Sequence, residues 1–421
     1  MGRLRWLTAG ESHGPQLTAI LEGCPAGLEL SRAAIDHQLA RRQRGYGRGP
    51  RQLIEQDRVR ILGGVRHGLT TGAPIALAIA NRDAANWADV MSVDAPGLEP
   101  PEPGATAPAS EAEGGSAGGG PSEGAPAVAA RDEERAATVD IPRPGHADLG
   151  GALLYELDDI RDVIERSSAR ETAARVACGA VARALLESVG CRVGSHVVAI
   201  GGVEAEATLG LTDGERVDAD DVRCLDAAAA DRMREAIDAA AADGDTLGGV
   251  FEVCAFGYPF GVGSYVQGDL RLGARLAGAV MSINAIKGVE IGAGFAAAAR
   301  RGSEVQDPIV WDEEAGYGRA SNHAGGIDGG ISTGETIVLR AAMKPIATLR
   351  APLPTVTLGS HVRVESRYER SDTCAVPAAS LVGEAMVALT LADGLLERFG
   401  GATVGDLAAG VAAFGERLRR R

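Results

Sequence analysis

Between Asp94 and Ala130 the chain has almost nothing with which to build a core. The stretch runs through Pro-Glu-Pro-Gly and Gly-Gly-Ser-Ala-Gly-Gly-Gly tracts, with seven Pro, eight Gly, six acidic residues and no basic ones. Such a segment cannot bury enough apolar surface to offset its ordering entropy, so it is predicted to be a disordered insertion. The fold must therefore be assembled from the two flanking parts. The whole chain has 421 residues and is 45% hydrophobic, enough for a sizeable core in one large domain or two ordinary ones.

Composition excludes several classes. No run of eighteen uninterrupted apolar residues occurs, which argues against a membrane span. The start, Met1 to Thr8, is basic but lacks an apolar stretch of signal-peptide length, and Trp6 stands where myristoylation needs Ser or Thr. The expected location is the cytoplasm. Six scattered cysteines form no C-x-x-C pair, against a disulfide framework or a cysteine zinc site, and no metal is expected. A net charge of −15 repels nucleic acid and anionic lipid, so neither is an expected partner. Of the 42 basic residues only Lys287 and Lys344 are lysine, and both lie in glycine-containing segments.

Helices and strands interleave. Ser31–Arg44 reads as a helix capped by Ser31. Ser168–Val189 opens on Ser-Ala-Arg-Glu, a capping-box pattern, and Asp226–Ala242 is alanine-rich with charges at helical spacing. Pro377–Phe399 has proline at its first position and Gly400 after its end. Residues 57–62, 73–80, 250–256 and 336–343 read as strands, the last stopped by Pro345. The pattern predicts an α+β protein without choosing a topology.

Several segments could carry chemistry. Gly10-Glu-Ser-His-Gly14 matches the G-x-S-x-G elbow of serine hydrolases, which would make Ser12 a nucleophile, but only nine residues precede it. Two other readings are a turn in which Ser12 and His13 bond local backbone, and a loop presenting His13 as proton donor. Arg41–Arg51 places arginines in a helix's last turn, where the dipole favours them. Arg48 and Arg51 lie beyond that helix in a Gly/Pro loop, and suit phosphate or carboxylate. The same stretch also resembles an RNA-binding arginine–glycine segment. Arg143-Pro-Gly-His-Ala-Asp148 sets His146 beside a carboxylate. At the start of the 168–189 helix, Arg166 and Arg170 sit where the dipole disfavours cations unless an anion binds. Asn284–Gly292 reads as a helix-to-strand turn. Asn322–Gly334 carries two Gly-Gly pairs suited to close backbone approach, and Arg370-Ser-Asp-Thr-Cys374 is a polar loop.

Taken together and in this order, these segments resemble the chorismate synthase family from Trp6 to Phe399, apart from the insertion. The most specific matches are Thr8–Gly14, Gly45–Gly49, Arg143–Asp148, Arg166–Thr172, Ile286–Gly292 and Met343–Ile346. The resemblance implies a single domain spanning 1–421, folded as a β-α-β sandwich of helices between antiparallel sheets, in a homotetramer. It implies 1,4-anti elimination of phosphate from 5-enolpyruvylshikimate 3-phosphate, giving chorismate, with reduced FMN required although nothing is oxidised overall. By motif, His13 would protonate the departing phosphate, His146 would sit beside the flavin, and Asp372 would help flavin N5 accept the substrate proton. Arg48, Arg51, Arg143, Arg170 and Arg370 would bind the substrate's anionic groups. Arg166, Ser167, Ser168, Asn284, Ala285, Gly329, the stretch Lys344, Pro345, Ile346, Ala347 and Thr348, and Arg370 would line FMN. Arg42 and Arg48 match positions associated with NADPH, and a separate flavin reductase is the other source of reduced flavin. The chain departs from the family in its insertion, in Ala347 where Ser is usual, and in the residues flanking Asp372.

Overall fold

The structure, a computed structural model, describes residues 4–49, 56–94, 137–313, 316–369 and 371–420. The predicted disordered insertion therefore lies outside the described residues, apart from Asp94.

The N-terminal part begins with strands β1 (Arg5–Ala9) and β2 (Gln16–Glu22), then helix α1 (Arg32–Gln43), then β3 (Val59–Gly63) and β4 (Ile75–Ala80). The four strands form one antiparallel sheet in the order β1-β2-β4-β3. Leu17, Ala19 and Leu21 of β2 and Ile75, Leu77 and Ile79 of β4 are buried, the period-two pattern of a sheet with one face on the core. As the sequence predicts, the Ser31 hydroxyl caps α1, accepting from the Ala34 N–H at 3.1 Å.

Two short helices follow, α2 (Asp148–Tyr155) and α3 (Arg161–Ser167), and then the long α4 (Thr172–Glu187). The expected capping box does not form. Ser168 accepts from the Arg170 N–H and opens a single 3₁₀ turn at Ala169–Glu171, so the α-helix starts only at Thr172. Glu171 instead accepts from the Thr8 hydroxyl at 2.7 Å and from Arg175 Nε at 2.9 Å. An ionised pair to Arg175 outweighs a bond back to a neutral backbone N–H.

Strands β5 (Arg192–Ile200) and β6 (Val203–Glu204) lead into helices α5 (Gly214–Ala219) and α6 (Ala227–Ala242), the second capped by Asp226. Then come β7 (Gly249–Phe256), α7 (Leu272–Met281), β8 (Ile286–Ile291) and β9 (Ile337–Met343). The second sheet is antiparallel, in the order β8-β9-β7-β5-β6.

Helix α8 (Val376–Phe399) is buried on almost every face. It is apolar and long enough to cross a membrane by composition, but its surroundings account for that character. It packs on β5 and β7 on one side and on α4 on the other, while α4 packs on β2 and β4. At the crossing of the two helices Gly179 faces Ala385 so closely that a Cβ on the glycine would lie 2.3 Å from the alanine Cβ. A buried charge sits in the middle of α8: Glu384 accepts from Arg41, Arg183 and Arg223 and from the Ser195 hydroxyl. That cluster ties the end of α1 to the core. Helix α9 (Val404–Arg419), opened by a Thr403–Asp406 capping box, closes the chain. All six cysteines are buried and free. Cys374 lies in the core rather than in a solvated loop, and burial pushes its thiol up to about 11.

Candidate active site

The ends of α1, α3 and α7, the turn between β1 and β2, the segments around 143–147 and 343–348, and the approach to α8 converge on one cavity of about 590 Å³. The β1–β2 turn starts at Gly10, φ +105°, where a Cβ would lie 2.4 Å from the Gln16 carbonyl oxygen. It joins two antiparallel strands, whereas a nucleophile elbow joins a strand to a helix. Ser12 is 3% exposed, and its hydroxyl accepts from that of Ser168 at 3.1 Å. The geometry gives the serine-hydrolase reading no support.

His13 lies on the cavity wall. Its Nδ1 is 2.7 Å from Glu165 Oε1, its backbone N–H donates to Glu165 Oε2 at 2.7 Å, and its ring stacks on Trp87 with centroids 4.2 Å apart. An ionised carboxylate only accepts, so Nδ1 carries the proton of that bond and Nε2 is left for exchange. His146 also has a carboxylate on its ring, Nδ1 to Asp148, but its backbone N–H donates to the Arg143 carbonyl. Asp148 is fully buried and also accepts from Arg143 Nε at 2.8 Å. Burial alone would raise the Asp148 carboxyl, but His146 and Arg143 hold it well below the usual carboxylate range. The same contacts keep the Arg143 guanidinium charged, above its ordinary value despite burial.

Three more arginines reach the cavity. Arg42 donates to the Thr172 hydroxyl and the Ala169 carbonyl and lies 3.5 Å from Asp57. Arg170 donates to Asn81 and to Asp57. Arg48 pairs with Asp372 at 2.7 Å, and the other Asp372 oxygen accepts the Gly49 N–H. Three guanidinium groups thus face two carboxylates. Burial first, and then Arg170 and Arg48 against Asp57, pull Arg42 down to about 10. Both lysines of the chain line the same space, and Lys344 Nζ donates to the Gly145 carbonyl.

Two buried polar atoms on this wall lack partners among the described residues: Arg48 Nε, a donor, and Asn284 Oδ1, an acceptor. Next to Asn284, Ala285 sits at φ +65°, uncommon for a residue with a Cβ, and its carbonyl accepts the Lys344 N–H. Ile283, Met343 and Ile346 supply apolar wall beside these groups. Apolar surface with a few aimed polar atoms fits a planar, hydrogen-bonding cofactor.

Of the residues singled out from sequence, His13, His146, Asp372, Arg42, Arg48, Arg143 and Arg170 line the cavity. So do Ser167, Ser168, Asn284, Ala285, Lys344, Ile346, Ala347 and Thr348. Pro345 lies between two lining residues without lining the cavity itself. Arg166 is exposed and donates instead to Thr8 and the Gly10 carbonyl, tying down the β1–β2 turn. Gly329 lies in the hairpin joining Ile327–Asp328 to Ile331–Ser332, away from the cavity wall. Arg51 and Arg370 lie outside the described residues. Arg41 and Arg42 are buried, so the arginine–glycine stretch does not present them to RNA. Sequence reasoning missed Glu165, Asp57 and Trp87. Glu165 borders the Arg166-Ser-Ser motif, but no spacing rule links it to His13.

The profile of the family described as chorismate synthase matches residues 4–396. A chorismate synthase of Desulforudis audaxviator is 52% identical over 418 residues, covering 99% of this chain and 98% of the relative. One of Bacillus cytotoxicus is 51% identical over 400 residues, covering 94% and 95%. A crystal structure of chorismate synthase superposes with a TM-score of 0.74 at 38% identity, covering both chains completely.

Proposed function

Because this chain belongs to the chorismate synthase family, it is a lyase that eliminates phosphate from 5-enolpyruvylshikimate 3-phosphate to give chorismate, and we propose that the cavity described above is where it does so with reduced FMN. The observation that carries the proposal is the convergence in that cavity of two carboxylate-held histidines with a surplus of arginines.

The residues present fit a flavin. Asn284 Oδ1 and Arg48 Nε offer one acceptor and one donor with no partner among the described residues, and Ala285, Ile346 and Thr348 extend the same wall. Reduced FMN, when bound, supplies transient electron density for carbon–oxygen cleavage. The protein's own groups bind and move protons. Arg48, Arg143 and Arg170, with Arg51 and Arg370, neutralise phosphate and carboxylates in a site where bidentate charged bonds are strong. His13 delivers its Nε2 proton to the departing phosphate, and Glu165 holds the opposite nitrogen. His146 exchanges a proton on the flavin side, and Asp372 takes part in removing the ring proton.

The contacts of α4 and α8 between the two sheets support reading the architecture as a β-α-β sandwich. We further assign one domain over 1–421, a homotetramer and a cytoplasmic location. Reduced flavin comes either from NADPH at Arg42 and Arg48 or from a separate reductase, and NADPH oxidation by the purified chain distinguishes the two. The central test is chorismate formation under anaerobic conditions, with and without reduced FMN. Activity should require the reduced flavin without consuming it. Full activity without flavin, or one flavin oxidised per turnover, overturns the proposal.

A further inference from the structure

We infer that Glu165 is a positioning residue for the elimination: it sets the orientation and protonation of His13 so that Nε2 delivers a proton to the substrate. This rests on the reading of His13 as the proton donor.

The geometry is specific to a carboxylate. Glu165 sits on α3, its side chain is 2% exposed, and its two oxygens each take a different proton of His13, one from the backbone N–H and one from Nδ1, both at 2.7 Å. A group with two acceptors and no donor can do this, and an amide cannot, since its NH₂ would face one of the two N–H groups. The backbone bond anchors the residue and the side-chain bond sets the ring nitrogen. The remaining freedom, rotation of the ring plane, is limited by Trp87. Its indole stacks on the imidazole, and the Arg161 guanidinium lies 5.6 Å from the indole centroid. Arg161 and Glu165 are one helical turn apart on α3, so one short helix supplies both the carboxylate and the support for the aromatic ring.

The two histidines of the cavity are held differently. Asp148 shares its charge between His146 and the Arg143 guanidinium. Among the described residues the only ion pair of Glu165 is with His13. A buried carboxylate paired with one imidazole favours that ring's charged form, the form that can give a proton away. A carboxylate already neutralised by arginine exerts less of that pull. The two rings therefore have different partners: among the described residues His13 has a carboxylate to itself, and His146 has one shared with Arg143.

The test compares His13→Ala, Glu165→Gln and the double variant with the full chain, reduced FMN and substrate. Glu165→Gln is expected to lower kcat by about 10²–10⁴-fold, the range of a misplaced acid–base group, while KM changes little. Removing the anion disfavours the charged ring, so the alkaline limb of the kcat profile should move to lower pH. In the His13→Ala background, Glu165→Gln should cost nothing further, because its effect passes through His13. An unchanged kcat and pH profile in Glu165→Gln, or equal losses in both backgrounds, overturns the inference while leaving His13 as the acid. Wild-type turnover in His13→Ala overturns the underlying reading instead. If Glu165→Gln does not fold, Glu165→Asp, which keeps two acceptors and the charge but draws back by one methylene, carries the same comparison.

Discussion

Asp372 shows how one side chain can hold a site and serve it. Its carboxylate grips Arg48 on one oxygen and the Gly49 N–H on the other, so it orders the loop that brings Arg48 to the cavity. Asp372→Asn keeps an acceptor for Gly49 and removes the charge. Flavin and substrate binding should survive, and the chemical step should slow by about 10²–10⁴-fold in single-turnover kinetics with reduced FMN. A wild-type rate rules out a proton-transfer role for Asp372. Glu384 carries the opposite balance, a charge kept for structure alone. Burial would raise it, but Arg41, Arg183 and Arg223 hold it down at about 2, against a usual 4.5. A depressed carboxylate contributes stability that is present above pH 4.5 and lost as pH falls towards 2. Glu384→Gln should therefore cost about 3–5 kcal/mol at neutral pH, since it leaves the buried Arg41 and Arg223 and the half-buried Arg183 short of a partner. Its stability should also fall less steeply than wild type between pH 4.5 and 2. Parallel pH dependence in denaturant titrations would contradict this account.

Among the secondary-structure elements, the crossing of α4 and α8 leaves little room for substitution. Replacing a mid-helix glycine with alanine gains up to about 1 kcal/mol in helix propensity. At Gly179 the added Cβ would sit 2.3 Å from the Ala385 Cβ and 2.6 Å from its Cα, and a backbone atom cannot be displaced by a rotamer change. Overpacking of this kind costs about 1–3 kcal/mol, so the clash outweighs the propensity. Gly179→Ala should lower the free energy of unfolding, measured in denaturant, and an increase would show that the helices can slide apart. The legibility of the elements varied for physical reasons. Helix α8 is plain from its N-terminal proline, long apolar run and following glycine, α1 from Ser31, and α6 from its alanine content and charge spacing. A Ser-x-x-Glu pattern mispredicts the start of α4, because it says nothing of the Arg175 and Thr8 that compete for Glu171. Helix α9 opens on a Thr-x-x-Asp box at Thr403–Asp406, a signal as local as Ser31 at the start of α1.

For the whole molecule, the acidic insertion predicts a chain that tolerates its removal. Deleting Pro96–Ala130 should leave turnover and melting temperature nearly unchanged, because a segment of that composition contributes few native contacts. A large loss in either would show that it packs or binds.

What the sequence determined by itself was local. It named the arginines that no helix dipole explains, the two histidines in tight loops, the family those motifs resemble, and most of the residues that line the cavity. What only the tertiary structure decided was pairing across the chain. Glu165 meets His13 over 152 positions and Arg41 meets Glu384 over 343, while Arg166, singled out for the flavin, spends its donors on Thr8 and Gly10. The reason is that hydrogen bonds and ion pairs saturate. A motif shows that a charged group is present, but whether it faces a ligand or is satisfied by a distant residue depends on which partners folding brings within about 3 Å of it.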